Sequence, residues 1–306
     1  MTAPVDVGLD IGGSKILGVA VTADGDVLAR ERVATALGPD GVAHGAAAVV
    51  EALRARTGRQ VSAPIGVGIP GIVDPRRGTV KHAVNLGLHG EWYPLADLLA
   101  DRLGVAVAVE NDVNAAALGA RLVEGVDDLV YLGLGTGLAA GVVLDGRLRR
   151  GVAGAAGEVG HLPLGGFGVE RERCQCGQHG CLELVASGRA LERAWPVEEG
   201  HAAAAVFAAS AGGDARAVAV RDRFAAGVAA GVRVLGLAVD PRLVVLGGGV
   251  AHVGEPLLAA VGAALRAQAA ESPFLASLDL AARLRLVPPD RPVAALGAAR
   301  LGRTPR

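Results

Sequence analysis

The sequence predicts an α/β fold built from two related domains. Short apolar strands alternate with helical stretches from one end of the chain to the other. The chain has 306 residues, long enough to bury a large core and to divide in two. Two segments, opening at Val5 and at Leu129, repeat one pattern of strand, glycine turn, second strand and small loop. "VGLDIGGSKILGVAVTADGDVLAR" and "VYLGLGTGLAAGVVLDGRLRR" match in hydrophobic pattern and turn placement. That repetition implies an internal duplication, a cleft between two α/β domains and a boundary near Asp112–Val113.

Val5–Asp10 reads as a short strand ending at "DIGGSK". Leu17–Thr22 and Val27–Arg30 flank "ADGD", a turn rich in residues that tolerate positive φ, so they form a hairpin. Val42–Arg56 has helical composition. Ile65–Ile69 is a buried strand broken by Pro70 and Gly71. Pro94–Leu103 is an amphipathic helix, Val105–Glu110 a strand and Val113–Val123 a helix. Leu129–Leu134 and Leu138–Leu144 are strands around a glycine turn. Ser187 caps a helix running through Ala194. Asp214–Val239 is a long alanine-rich helix that stops before Pro241. Leu243–Leu246 is a strand closed by "GGG". A helix near Pro256–Ala269, a strand at Leu284–Val287 and a last helix from about Pro292 complete the series.

Composition excludes several classes. The formal net charge is -1, with both signs spread along the chain, which argues against a nucleic-acid or membrane surface. No stretch reaches the ~20 apolar residues of a membrane span, and Met1 to Val7 lack the basic start of an export signal. With its three clustered cysteines, the chain reads as a cytoplasmic protein with a metal site rather than disulfides.

Three glycine turns follow apolar strands. "DIGGSK" sets Asp10, Gly12, Gly13, Ser14 and Lys15 at a strand end, where backbone N–H groups can approach phosphate oxygens and a carboxylate can hold a metal-bound water. "LGTG" repeats the idea with Gly135, Thr136 and Gly137, and "LGGGV" adds Gly247, Gly248 and Gly249. One such turn is ordinary; three together point to nucleotide phosphate binding. "VENDVNAAALG" places Glu110, Asn111 and Asp112 where a strand meets a helix. Asn111 or Asp112 can cap that helix, and a carboxylate there can also take a hydroxyl proton. "GAAGEVGH" sets Glu158 and His161 three residues apart, able to converge on one small polar ligand.

All three cysteines, Cys174, Cys176 and Cys181, lie in "CQCGQHGC". This C-x-C-x4-C spacing suits a compact Cys₃His zinc site. His179 and His161 compete for the fourth place. Spacing does not decide between them; the tight turn around His179 favours His161.

Taken together, "DIGGSK", "GVGIPGIVD", "VENDVNAAALG", "LGTG", "GEVGH" and "CQCGQHGCLE" stand in the order of the ROK family (repressors, open reading frames and sugar kinases), which the chain resembles from Val5 to "AALGAARLG". The resemblance implies an actin-like, hexokinase-type (ribonuclease H-like) fold whose last helix returns to the small domain. The expected domains are then 1–112 with 291–306, and 113–290 with a zinc loop at 161–183. It implies Asp112 as general base. Gly71, Asn85, Asn111, Glu158, His161 and Glu183 would bind the sugar. Asp10 and the glycine turns would bind ATP and Mg²⁺, and His161 with the three cysteines would hold structural zinc. Ser14 stands where threonine is more usual, and the segment between His161 and Cys174 is long and charged.

The expected activity is ATP-dependent phosphorylation of a hexose, glucose first, in carbohydrate metabolism. Fructose, N-acetylmannosamine and N-acetylglucosamine are alternative substrates. Another class is a sugar-responsive repressor; the nine residues before Asp10 are too few for a DNA-reading helix pair. A third is a non-catalytic sugar sensor. The expected partners are the sugar and ATP, without nucleic acid or membrane, in a homodimer or homotetramer.

Overall fold

Strand burial shows where the first sheet sits. β1 (Asp6–Ile11) is buried along nearly its whole length, whereas β3 (Val27–Ala34) alternates half-buried and exposed residues. β1 therefore lies inside the sheet and β3 at its edge. β2 (Lys15–Val21) pairs antiparallel with both. β4 (Ile65–Ile69) runs parallel to β1, and β7 (Val107–Asn111) parallel to β4, giving the order β3-β2-β1-β4-β7. Helix α1 (Pro39–Thr57) presents Val42, Ala46, Val49, Val50 and Leu53 to this sheet, and fully burying a Val or Leu is worth about 1.5–3 kcal/mol. α1 starts a turn earlier than its composition suggested, because Pro39 suits the first helical position; Gly58 stops it in the left-handed region. A small hairpin, β5 (Ile72–Asp74) and β6 (Thr79–Lys81), and α2 (Leu95–Leu103) precede β7. α3 (Asp112–Glu124) follows it directly.

The second sheet repeats the plan. β8 (Leu129–Leu134), β9 (Leu138–Leu144) and β10 (Arg147–Leu148) are followed by β11 (Leu243–Gly247) and β12 (Leu284–Leu286), in the order β10-β9-β8-β11-β12. β11 runs parallel to β8 and to β12, as β4 does to β1 and β7. The same order in both sheets is what the repeated pattern at Val5 and Leu129 anticipates. The helices here are α4 (Gly188–Ala194), α5 (Ala202–Ala211), α6 (Ala215–Val239), α7 (Glu255–Ala269) and α8 (Pro273–Leu278). The last helix, α9 (Val293–Ala298), packs on α3 and β1.

The computed structural model describes residues 3–90, 92–270 and 272–302, so residues 1, 2, 91 and 303–306 of the expected segments 1–112 and 291–306 lie outside it. The chain forms two compact units: Met1–Asp127 with Gly141–Ala155 and Asp290–Arg306, and Asp128–Ala140 with Ala156–Pro289. The first extends beyond residue 112 because α3 packs inside it, against α9. That packing is backbone-close: a Cβ on Gly119 would strike the Val293 carbonyl, and one on Gly297 the Ala115 carbonyl. Among the described residues no helix is long and apolar enough to cross a membrane.

Candidate active site

In the first unit the parallel strands β1, β4 and β7 end side by side, with Asp10 opposite Gly68 and Asn111 opposite Ile69. Carboxyl ends of such strands are where α/β folds gather ligand-binding residues. Burial pushes the Asp10 carboxyl up to about 6; the Asp112 carboxylate adds to the rise and the Lys15 ammonium opposes it. These three groups thus share one electrostatic neighbourhood. The "GGS" turn is held from outside. The Gly12 N–H donates to the Lys15 carbonyl at 2.9 Å, and the Thr35 hydroxyl donates to the Gly12 carbonyl at 2.7 Å. Gly13 lies against Asn85, whose side chain is exposed on a single helical turn, Val84–Leu86. Gly71 has φ 105°, and a Cβ there would come 2.7 Å from the Lys81 carbonyl, so both conformation and space require glycine.

Asn111 takes the capping role. Its Oδ1 accepts the N–H groups of Val113 (2.9 Å) and Asn114 (3.2 Å), while its Nδ2 donates to the Gly71 carbonyl at 3.2 Å. Asp112 is the first residue of α3, and its Oδ1 also accepts from the Val113 N–H at 2.9 Å. Glu110, just before them, is buried. It accepts from Arg150 Nε at 2.6 Å and Asn114 Nδ2 at 3.0 Å. Sequence reading gave Glu110 no role and missed Thr35, Asn114 and Arg150. The Glu110–Asn114 pair has helical spacing that could have revealed it; Arg150, forty residues on, has no local signal.

In the second unit the Gly135–Gly137 turn is braced by the start of α4. The Gly188 N–H donates to the Gly135 carbonyl at 2.7 Å and the Arg189 N–H to the Thr136 carbonyl at 3.4 Å. Gly248 has φ 83° and approaches the Leu134 carbonyl, so the two glycine turns of this unit adjoin. Gly247 ends β11 against the Tyr131 ring, and Gly249 opens the next turn with free space around it.

His161, Cys174, Cys176 and Cys181 offer ligand atoms that all lie within 4.8 Å of one another. Cys176 Sγ and Cys181 Sγ are 3.6 Å apart, and Cys174 Sγ is 3.9 Å from His161 Nδ1. Zinc with bonds of about 2.3 Å to sulfur and tetrahedral angles needs sulfurs about 3.8 Å apart, so the set fits. Burial, with a hydrogen bond to Glu183, pushes the Cys174 thiol up to about 12. Burial pushes Cys181 up as well. Burial would also raise Cys176, but hydrogen bonds from Gln178 and the neighbouring thiols bring it down to about 7. A divalent metal would favour the thiolate at all three. His179 stands outside the cluster, its backbone paired antiparallel with that of Arg173 in an isolated β-bridge.

Two carboxylates flank the cluster. His161 Nε2 is 3.9 Å from Glu158 Oε2, and His161 Nδ1 is 3.9 Å from Glu183 Oε1. Desolvation raises the Glu158 carboxyl; Glu183 adds to this and His161 opposes it. The long charged segment before Cys174 closes on itself, since Glu170 Oε1 accepts the N–H groups of Gly166, Phe167 and Gly168 at 2.8, 3.1 and 3.2 Å.

The ROK family model matches residues 6–301. The chain belongs to the ROK family. The glucokinase of Streptomyces coelicolor is 39% identical over 190 residues, covering 61% of this ROK protein and 57% of that relative, so the chain spans a little over half of its length. The N-acetylmannosamine kinase of Yersinia pseudotuberculosis is 35% identical over 247 residues, 79% of this chain and 82% of that one. Among solved structures, a ROK family glucokinase from Streptomyces griseus in complex with glucose and AMPPNP matches with a TM-score of 0.77 at 31% identity, over 97% of this chain and 98% of that chain. The fold of this ROK protein is accordingly the actin-like, hexokinase type.

Proposed function

We propose that this ROK protein is an ATP-dependent sugar kinase that phosphorylates a hexose, glucose first, with Asp112 as general base. The observation that carries the reading is the grouping of Asp112, Asp10 and Lys15 at adjoining strand ends, with the Asp10 carboxyl pushed up to about 6. Such a pair of carboxylates, one of them costly to ionise, suits a site that receives a cation and its phosphates. The fold and the family of the chain support it further.

In this mechanism the sugar hydroxyl loses its proton to Asp112 as its oxygen attacks the γ-phosphorus of ATP. A new oxygen–phosphorus bond forms, the bond to the bridging oxygen of ADP breaks, and ADP leaves with that electron pair. Asn111, fixed by its cap and by the Gly71 carbonyl, would hold Asp112 in register and bind a sugar hydroxyl. Asn85, Glu158, His161 and Glu183 would bind further hydroxyls. The turns at Gly12–Ser14 and Gly135–Gly137 would offer N–H groups to phosphate, and Gly247–Gly249 would adjoin the adenosine. Mg²⁺, bound with ATP and held through Asp10, would supply charge neutralisation on the phosphates. Zinc held by His161, Cys174, Cys176 and Cys181 would be structural, since four protein ligands leave no open position. His161 Nδ1 faces Cys174, which leaves Nε2 on the Glu158 side for a sugar hydroxyl.

A second reading, N-acetylmannosamine as substrate, is favoured by the Yersinia relative, whose match covers more of this chain than the Streptomyces coelicolor one. Coupled ADP release over hexoses and N-acetylhexosamines tests both. The expected result is the highest kcat/KM with glucose. A higher value for N-acetylmannosamine would replace the first reading with the second, and no sugar-dependent ADP release would sink both.

A further inference from the structure

The strand that delivers Asn111 and Asp112 lies at the edge of its sheet. β7 has β4 on one side and no strand on the other among the described residues. An edge strand lacks half its ladder, so its last residues need some other restraint. A buried carboxylate supplies one. Glu110 is 1% exposed, and both of its oxygens are engaged. Oε1 accepts the Asn111 backbone N–H and Asn114 Nδ2, each at 3.0 Å. Oε2 accepts Arg150 Nε at 2.6 Å. Asn114 lies in the first turn of α3, and Arg150 sits two residues past β10, which packs on α3. One side chain therefore ties together the end of β7, the start of α3 and the end of the β9–β10 hairpin.

We propose that Glu110 and Arg150 form an ion-paired clamp that positions Asn111 and Asp112 for phosphoryl transfer. The proposal rests on the reading of Asp112 as general base. An apolar contact could fill the same space but would not fix direction; a carboxylate with three donors from three elements does. The short charge-assisted bond from the Arg150 guanidinium fixes the direction of the Glu110 carboxylate. The backbone of Asn111 is then set by Glu110, while its side chain is set by Gly71 and the α3 cap. Asp112, the next residue, inherits that placement. Glu110 has every oxygen committed to these donors, so it is a positioning residue and not a catalytic one.

The test compares wild type, Asp112→Asn, Arg150→Met, Arg150→Lys, Glu110→Gln and the double variant Glu110→Gln/Arg150→Met. The readings are kcat, KM for glucose and for ATP, and Tm. The Arg150 side chain is 39% exposed, so its variants are expected to fold even if Glu110→Gln does not. Arg150→Met should lower kcat by roughly 10- to 100-fold, the scale of a reacting group misplaced by about 1 Å, with KM for ATP nearly unchanged. Arg150→Lys, which keeps the charge, should recover part of the loss. The double variant should be no worse than Arg150→Met, because both changes remove one interaction. Wild-type kcat in Arg150→Met, a loss confined to Tm, or losses that add in the double variant would each overturn the clamp. If wild type turns over while Asp112→Asn does not, such a result sinks the clamp alone. If wild type transfers no phosphate to any sugar, the base assignment falls first and the clamp with it.

Discussion

Asp10 bears a cost that folding alone does not ask of it. An aspartate ordinarily titrates near 3.8, and Asp10 does so near 6 because of burial first and Asp112 second. Between those values the folded chain keeps a proton that the unfolded chain has released. The contribution of Asp10 to stability is thus fully present below about 3.8 and is lost as pH rises through about 6. Asp10→Asn removes this titration. It should raise Tm over wild type at pH 7.5 and bring no gain at pH 3.5, while lowering turnover; an equal gain at both pH values would contradict the account. At the cluster, His161→Ala should strip zinc and weaken glucose binding together, and His179→Ala should do neither. Metal content by elemental analysis, with glucose titration calorimetry, decides this; the reverse pattern would reassign the fourth ligand. These residues were legible because their chemistry is local: three cysteines in eight residues, or an Asn-Asp at the end of a strand. Glu110 and Arg150 were not, since their pairing exists only once β10 has folded onto α3.

Elements were legible wherever period and caps agreed. α6 runs Ala215–Val239 behind the Asp214 cap, and α4 follows Ser187, whose Oγ accepts the Ala190 N–H. β5 and β6, three residues each around a charged turn, carry too short a pattern to read. α5 and α8 escaped notice for related reasons: one is almost uniformly alanine and apolar, the other only six residues long. The close approach of α3 and α9 shows what a sequence hides. Gly119 and Gly297 look like weak points in helices, yet each makes room for the other helix's backbone. Gly297→Ala should therefore destabilise the protein by about 1–3 kcal/mol, although alanine is the better helix former. A denaturation midpoint equal to or above that of wild type would show that the helices separate without cost. The loop that carries the Cys₃His cluster makes a second test at this scale. Chelation should loosen sugar binding while leaving ATP-analogue binding close to normal, because Glu158 and Glu183 flank the cluster and the Gly247–Gly249 turn does not belong to it. Equal loss of both ligands would argue that the metal supports the whole unit.

At the scale of the molecule, the repeated pattern at Val5 and Leu129 is realised as two sheets of identical strand order. The duplication was readable because glycine turns and apolar strands recur at matching places. The extent of the first unit was not. Segment 141–155 joins it through tertiary packing on α3, where a Cβ on Gly141 would come 2.7 Å from the Val113 carbonyl. Each sheet brings parallel strand ends together, and those ends carry the candidate residues: Asp10, Asn111 and Asp112 on one, the glycine turns at Gly135 and Gly247 on the other. The central claim is that such a molecule moves phosphate to a sugar with Asp112 taking the proton. It is tested most directly by ADP release with glucose and MgATP, for wild type beside Asp112→Asn, with glucose affinity measured on both. The expected result is sugar-dependent turnover in wild type, a roughly 10²–10⁴-fold lower kcat in Asp112→Asn and retained glucose binding. Near-normal turnover in Asp112→Asn, or no turnover in wild type, would contradict it.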